Sequence, residues 1–197
     1  MADYHAITAT GQAILNLLEN ACPRDDFEKA EFKLYKAENF KKPMAEGVSL
    51  YLYRVGTSSR RNLPPRRDEL GNLYRPPLPL DLYYLLTAWA ESAEKQQFLL
   101  GWTMSELHDN PILPASLLNH CFKLPSGEVF CEDEDVALTF DPLSLQDLAN
   151  LWEPLKPNLQ ASAAYVARMV AIDSRVVVRQ YEPIQTRQFD FIAEAGS

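Results

Sequence analysis

Glycine is scarce in this chain, with seven among 197 residues, and none forms a GxGxxG, a P-loop or a GxSxG pattern. The Gly-rich turns through which backbone amides cradle phosphate, and the strained turn that presents a nucleophilic serine, are therefore missing. Histidine is scarcer: His5, His108 and His120 stand too far apart for an HExxH-type pair, which argues against a shared metal site. Cys22, Cys121 and Cys131 are odd in number and contain no CxxC, so neither a disulfide framework nor a zinc site is indicated. Reduced thiols are the ordinary expectation. Cys121 and Cys131 flank a predicted hairpin, "CFKLPSGEVFC", and a bridge between them is conditional on export.

Long apolar runs are lacking too. The longest, Leu78 to Ala90, is interrupted by Pro79, Asp81 and Thr87 and falls short of the roughly 20 residues that span a bilayer. The N-terminus has no basic stretch followed by an apolar block, so no secretory signal is read there, and folding in the cytosol is the expectation. Net charge is -8, which opposes nucleic acid and anionic membrane at long range. Any anion site must be local.

What is present is enough apolar sequence, 47%, to bury one core. Ile7, Ile14, Leu15 and Leu18 mark one face of a helix from Asp3 to Ala21, which Pro23 stops. "EFKLYKA" and "VSLYLYRV" alternate as strands, and "LPLDLYYLLTAWA" is apolar on both faces, as a central strand covered on both sides would be. A second helix runs from Ser92 to Asn110, and "NPILPASLLN" reads as a turn or single helical turn. "VALTFDP" supplies a further strand. Ser144, three residues before Asp147, starts a short helix that Pro154 and Pro157 close. "ASAAYVARMVAIDSRVVVRQYEPI" predicts one long or bent strand, or two. The fold class is α+β: a mostly antiparallel sheet covered by two longer helices and one short one. One domain is expected over residues 1–184, with 185–197 as a tail or interaction arm.

No catalytic constellation emerges. Ser105, His108 and Asp109 have triad chemistry but crowd one helix end, where capping explains them better. The run Glu132, Asp133, Glu134 and Asp135 lacks the spacing of a calcium loop and reads as a solvated acidic loop. Trp89, Trp102 and Tyr84 would suit a small-ligand pocket, although aromatics at such spacings more commonly build core.

One local anion-binding candidate stands out. Arg54, Arg60, Arg61, Arg66, Arg67 and Arg75 fall within 22 residues, in and beside a Pro-rich loop at 56–77 that shows no period. A solvated loop, a nucleic-acid contact and a carboxylate-rich protein partner are the alternatives. Stacking aromatics are missing apart from Tyr74, which counts against nucleic acid. Arginine's planar, multi-donor head favours a carboxylate-bearing protein. In the tail, Phe189 and Phe191 alternate with polar residues, a pattern suited to adding a strand to a neighbouring sheet edge.

The ordered segments "VSLYLYRV…RRN", "YRPPLPLDLYYLLTAWA", "LLGWTMSELHDNPILP" and "LANLWEPLKPNLQASAAYVARMVAID" resemble the cap, or tail-terminator, proteins of phage-tail-like contractile injection systems, best the antifeeding-prophage type. The resemblance runs from the first helix to about Ile184. It implies a tail-terminator-like fold and a non-enzymatic assembly protein without a cofactor. Such a protein forms a homo-hexameric ring on the end of the inner tube, stops tube growth and contacts the last sheath layer. It implies the inner tube protein and the sheath protein as partners, with no nucleic acid and no membrane insertion. Assembly would be cytoplasmic, into a particle that is later released or anchored. Family members often carry a further C-terminal domain, and any function housed there is expected to be absent from this chain.

Overall fold

The computed structural model describes residues 4–59, 63–68, 70–121, 129–155 and 159–178. Its main sheet has six strands in the order β1-β2-β5-β8-β7-β6. They are β1 (Glu31–Tyr35), β2 (Gly47–Thr57), β5 (Leu78–Trp89), β6 (Ile112–Pro114), β7 (Asp135–Phe140) and β8 (Ser162–Ile172). Only β1 and β2 run parallel; every other pair in this sheet is antiparallel. The sheet is mostly antiparallel, in agreement with the sequence reading.

β5 shows why this sheet is covered on both sides. Leu80, Leu82, Tyr84, Leu86 and Ala88 enter the large core, whereas Leu85 and Trp89 enter a second, aromatic one. The period of two sends alternate side chains to opposite faces. Leu82, Leu85 and Leu86 are all 0% exposed, and each such burial contributes about 1.5–3 kcal/mol. Tyr84 and Trp89 therefore lie on opposite faces, and Trp102 packs instead against Phe27 and Phe32. The three aromatics do not line one pocket.

Helices α1 (Ala6–Ala21), α2 (Ala93–Asp109) and α3 (Ala115–Cys121) supply residues to the large core. Gly11 in mid-helix costs about 1 kcal/mol relative to alanine, but its bare backbone admits close neighbours. A Cβ there would stand 3.0 Å from Leu34 Cδ2 and 3.4 Å from the Tyr84 hydroxyl. Ser92 caps α2 through the Lys95 amide at 3.2 Å, and Leu99, Thr103 and Leu107 form its buried stripe. On the other face, a 3-10 turn (Ala37–Lys41) and α4 (Leu145–Trp152) close the aromatic core, with Phe40 meeting Trp152 edge-on at 5.3 Å. Ser144 caps α4 as its spacing predicts, accepting from the Asp147 amide at 3.1 Å.

Several expectations change. There are two short helices among the described residues, because "ASLLNHC" forms α3 directly after the three-residue strand β6. Cys121 consequently ends a helix instead of a strand; residues 122–128 of the predicted hairpin lie outside the described residues, and Cys131 is a free thiol. The last sheet strand stops at Ile172. The β-branched segment beyond it serves a different sheet.

Candidate functional site: the arginine-bearing hairpin

The Pro-rich segment is partly ordered by its own chemistry. β3 (Arg66–Arg67) pairs antiparallel with β4 (Leu73–Tyr74), with Arg66 opposite Tyr74 and Arg67 opposite Leu73. Asp68 builds the turn: its Oδ1 accepts the Asn72 amide at 2.8 Å, and its Oδ2 accepts the Asn72 side-chain amide at 2.9 Å and the Tyr74 hydroxyl at 3.2 Å. These bonds, led by that of the Asn72 side chain, hold the Asp68 carboxyl below its usual range. Asp68 in turn raises the Tyr74 phenol. Gly71 takes φ +83°, a conformation in which a side chain is strained. Arg67 Nη1 donates to the Gly71 carbonyl at 3.1 Å. The sequence shows no hydrophobic period here because side-chain hydrogen bonds, not a buried stripe, make the turn.

A third strand-like segment completes a miniature sheet. Tyr74 bridges Val177, the Arg75 amide donates to the Val176 carbonyl at 3.0 Å, and the Val178 amide to the Leu73 carbonyl at 2.6 Å. The valine run "RVVV" is thus used, but as an edge on the hairpin.

Arg66 ties the hairpin to the main body. Its Nη1 lies 2.6 Å from Glu134 Oε1 and 3.1 Å from Asp173 Oδ1, with those side chains 13% and 6% exposed. Burial alone would lower the Arg66 pKa; the Glu134 hydrogen bond and the charges of Glu134 and Asp173 outweigh it and hold the guanidinium above its ordinary value. Glu134 Oε2 also accepts the Cys131 amide at 2.8 Å. The acidic run therefore turns one carboxylate inward, while Glu132, Asp133 and Asp135 are exposed as predicted. A cavity of about 410 Å³ lies between hairpin and sheet, lined by Ser58, Arg66, Glu134, Arg168 and Met169 among others.

The predicted site residues thus separate. Arg66, Arg67, Tyr74 and Arg75 share the hairpin, and only Arg67 and Arg75 are exposed. Arg54 lies on β2, its guanidinium 4.8 Å from the centre of the Tyr83 ring. Arg60, Arg61, Phe189 and Phe191 lie outside the described residues. Sequence reasoning missed Glu134 and Asp173. The acidic excess at 132–135 was the available signal, but nothing in its spacing distinguishes the inward residue.

Comparison with known proteins places this geometry. The model of the Pvc16 N-terminal domain family matches residues 9–186. Two structures solved by cryo-electron microscopy are similar. One is the sheath/tube terminator, in its extended state, of an extracellular contractile injection system, PVC: TM-score 0.64, 15% identity, 95% of this chain and 64% of that one. The other is the tube-terminating cap of the anti-feeding prophage: TM-score 0.56, 14% identity, 89% of this chain and 60% of that one. The chain therefore spans less than two thirds of either structure, and at such identity the likeness is one of fold. No curated protein matches the chain significantly.

Proposed function

Because the chain belongs to the Pvc16 N-terminal domain family, we propose that it is a non-enzymatic cap that terminates the inner tube of a contractile injection system. The observation that carries this reading is the family match over most of the chain, joined to fold likeness with two tube terminators. The expected assembly is a homo-hexameric ring built before release or anchoring of the particle, seated on the last tube layer and touching the last sheath layer. Residues 1–184 form its body and 185–197 its arm. Among the described residues no helix is long and apolar enough to cross a membrane.

A ring subunit needs a stiff body that sets the angle between neighbours and projections that reach them. The six-stranded sheet, filled on both faces, supplies the first. The hairpin supplies the second: Arg67 and Arg75 are exposed on it, in a segment that also includes Arg60 and Arg61. Their planar donors suit carboxylates on the tube end or the adjacent subunit. Arg66 has an internal role and belongs to the support of this surface.

Electron microscopy of particles assembled without the gene tests the reading. Tubes of unregulated length support a cap; loss of all particles would assign the protein to the baseplate instead. Neutralising Arg60, Arg61, Arg67 and Arg75 together, with Arg66 kept, should reproduce the length defect. Normal tube lengths in that variant would remove the hairpin from the contact surface.

A further inference from the structure

We propose that the outer edge of β1 binds residues 188–192 of a second copy of this chain as an added strand. The proposal rests on the multi-copy cap reading and specifies how adjacent copies join.

β1 ends the six-stranded sheet, and among the described residues no strand pairs with its outer side. Unpaired edges of this kind accept extended peptides through backbone hydrogen bonds, with alternate side chains giving specificity. A groove of about 460 Å³ follows this edge, lined by Leu15 and Asn16 of α1, by Phe32, Leu34 and Tyr35 of β1, and by Asn39. Phe32 packs with the large core and Tyr35 with the aromatic core, so the groove borders both faces of the sheet. Leu34 is 41% exposed beside it. Lysine often guards such edges, but Lys33 is paired with Glu31 of the same strand.

The occupant follows from pattern, charge and reach. Gln188-Phe189-Asp190-Phe191-Ile192 alternates, so in an added strand Phe189 and Phe191 share one face; set on the α1 side, near the apolar Leu15 and Leu34, they leave Asp190 on the side of Lys33. Residues 28–42 hold five lysines against three glutamates, a net +2 in a chain whose total is -8. Residues 188–197 hold Asp190 and Glu194 and no basic residue. The two segments are opposite in net charge, with Glu19 of α1 the one carboxylate among the groove's lining residues.

Reach favours a neighbour's edge over the chain's own. Val178 is hydrogen-bonded to the hairpin, at the end of the sheet where Ser58 meets Pro79. β1 pairs with the opposite end of β2, Lys33 standing beside Ser49. The eight residues from Ser49 to Thr57 alone cover about 26 Å, and crossing from β8 to a strand added beyond β1 spans four spacings, about 19 Å at ~4.8 Å each. Nine fully extended residues, 179–187, reach about 30 Å, which leaves no slack for a path around α1. Tail into the next subunit's edge is a head-to-tail contact, the kind that closes a ring when the rotation permits.

The test uses the full chain with a photo-crosslinking phenylalanine analogue at position 191, with light and 15N-labelled copies mixed before assembly. The expected products join a light and a heavy chain and map to residues 12–16 or 32–35. Leu34→Asp should abolish them. Crosslinks within single chains, crosslinks mapping elsewhere, including onto tube or sheath, or no crosslink between copies would overturn the proposal. Tube length measured without the gene judges the cap reading separately, so the two can fail independently.

Discussion

Asp81 and Met169 meet across neighbouring strands: the Met169 amide donates to Asp81 Oδ1 at 3.2 Å, and Arg168 Nη1 approaches Oδ2 at 3.4 Å. Leu80 pairs with Val170 and Leu82 with Ala167, so Asp81 alone faces two residues of β8, a bulge. Met169 adopts φ 66° there, a conformation that costs a non-glycine residue about 1–2 kcal/mol. The carboxylate, with Asp81 only 4% exposed, holds the bulge open. Asp81→Ala should destabilise the protein by about 2–3 kcal/mol, with Asp81→Asn costing less because one acceptor oxygen remains. Thermal unfolding reads both. A companion pair isolates the backbone: Met169→Gly should be more stable than Met169→Ala by about 1 kcal/mol, the reverse of the order expected in ordinary strand geometry.

Arg66→Ala should release the hairpin. Two carboxylates that are 13% and 6% exposed would lose their cation, a change worth about 2–4 kcal/mol locally. Hydrogen exchange should rise over residues 63–78 while β5 and β8 stay protected; unchanged exchange there would show that the Arg66 anchor is dispensable. Arg66→Lys should rescue only part: one nitrogen, Nη1, meets both acids, and a lysine would have to bring a shorter, more strongly hydrated head to the same point.

Ser49→Val should expose a hidden dependence in the core. The Trp89 indole donates to Ser49 Oγ at 2.8 Å, with Ser49 0% and Trp89 7% exposed. Valine removes the hydroxyl and adds a methyl group to a site that is already full, which leaves the N–H without that acceptor, at a cost of about 1–3 kcal/mol. A lowered unfolding midpoint, roughly 2–4 °C per kcal/mol for a domain of this size, is the expected result.

Stability should fall in alkali. Burial, followed by the Asp141 charge, pushes the Tyr53 phenol up to about 12, and burial raises Tyr84 further. A phenol whose pKa is higher folded than unfolded stabilises the native state fully below the unfolded value near 10, and that contribution is lost as pH rises to the folded value. Unfolding midpoints should therefore decline between about pH 10 and pH 12, and the slope should flatten in Tyr53→Phe. Phenolate absorbance followed in parallel would locate the titration.

Much of this architecture is readable from the residues because burial imposes a period. β5 is apolar on both alternating faces, and both faces are filled. Ser144 precedes its helix with the spacing of a cap and makes that cap. The hairpin resisted reading because Asp68, Asn72 and Gly71 shape it through hydrogen bonds and one left-handed residue, which leave no hydrophobic pattern. The six arginines fall within 22 residues, yet sequence cannot separate Arg66, which turns toward Glu134 and Asp173, from Arg67 and Arg75, which face outward. That distinction depends on two acids 68 and 107 residues further along the chain.

The miniature sheet also has a mechanical meaning. The described chain is held to β4 by two backbone hydrogen bonds, Arg75 to Val176 and Val178 to Leu73, just before it continues into the C-terminal residues. A pull directed along Val176–Val178 loads both bonds together in shear, whereas a sideways pull opens the Val178 bond first and then the other, as a zipper opens. Tension in the line of the strand is therefore resisted and tension across it is released, so the root of the tail distinguishes the direction of force as well as its size.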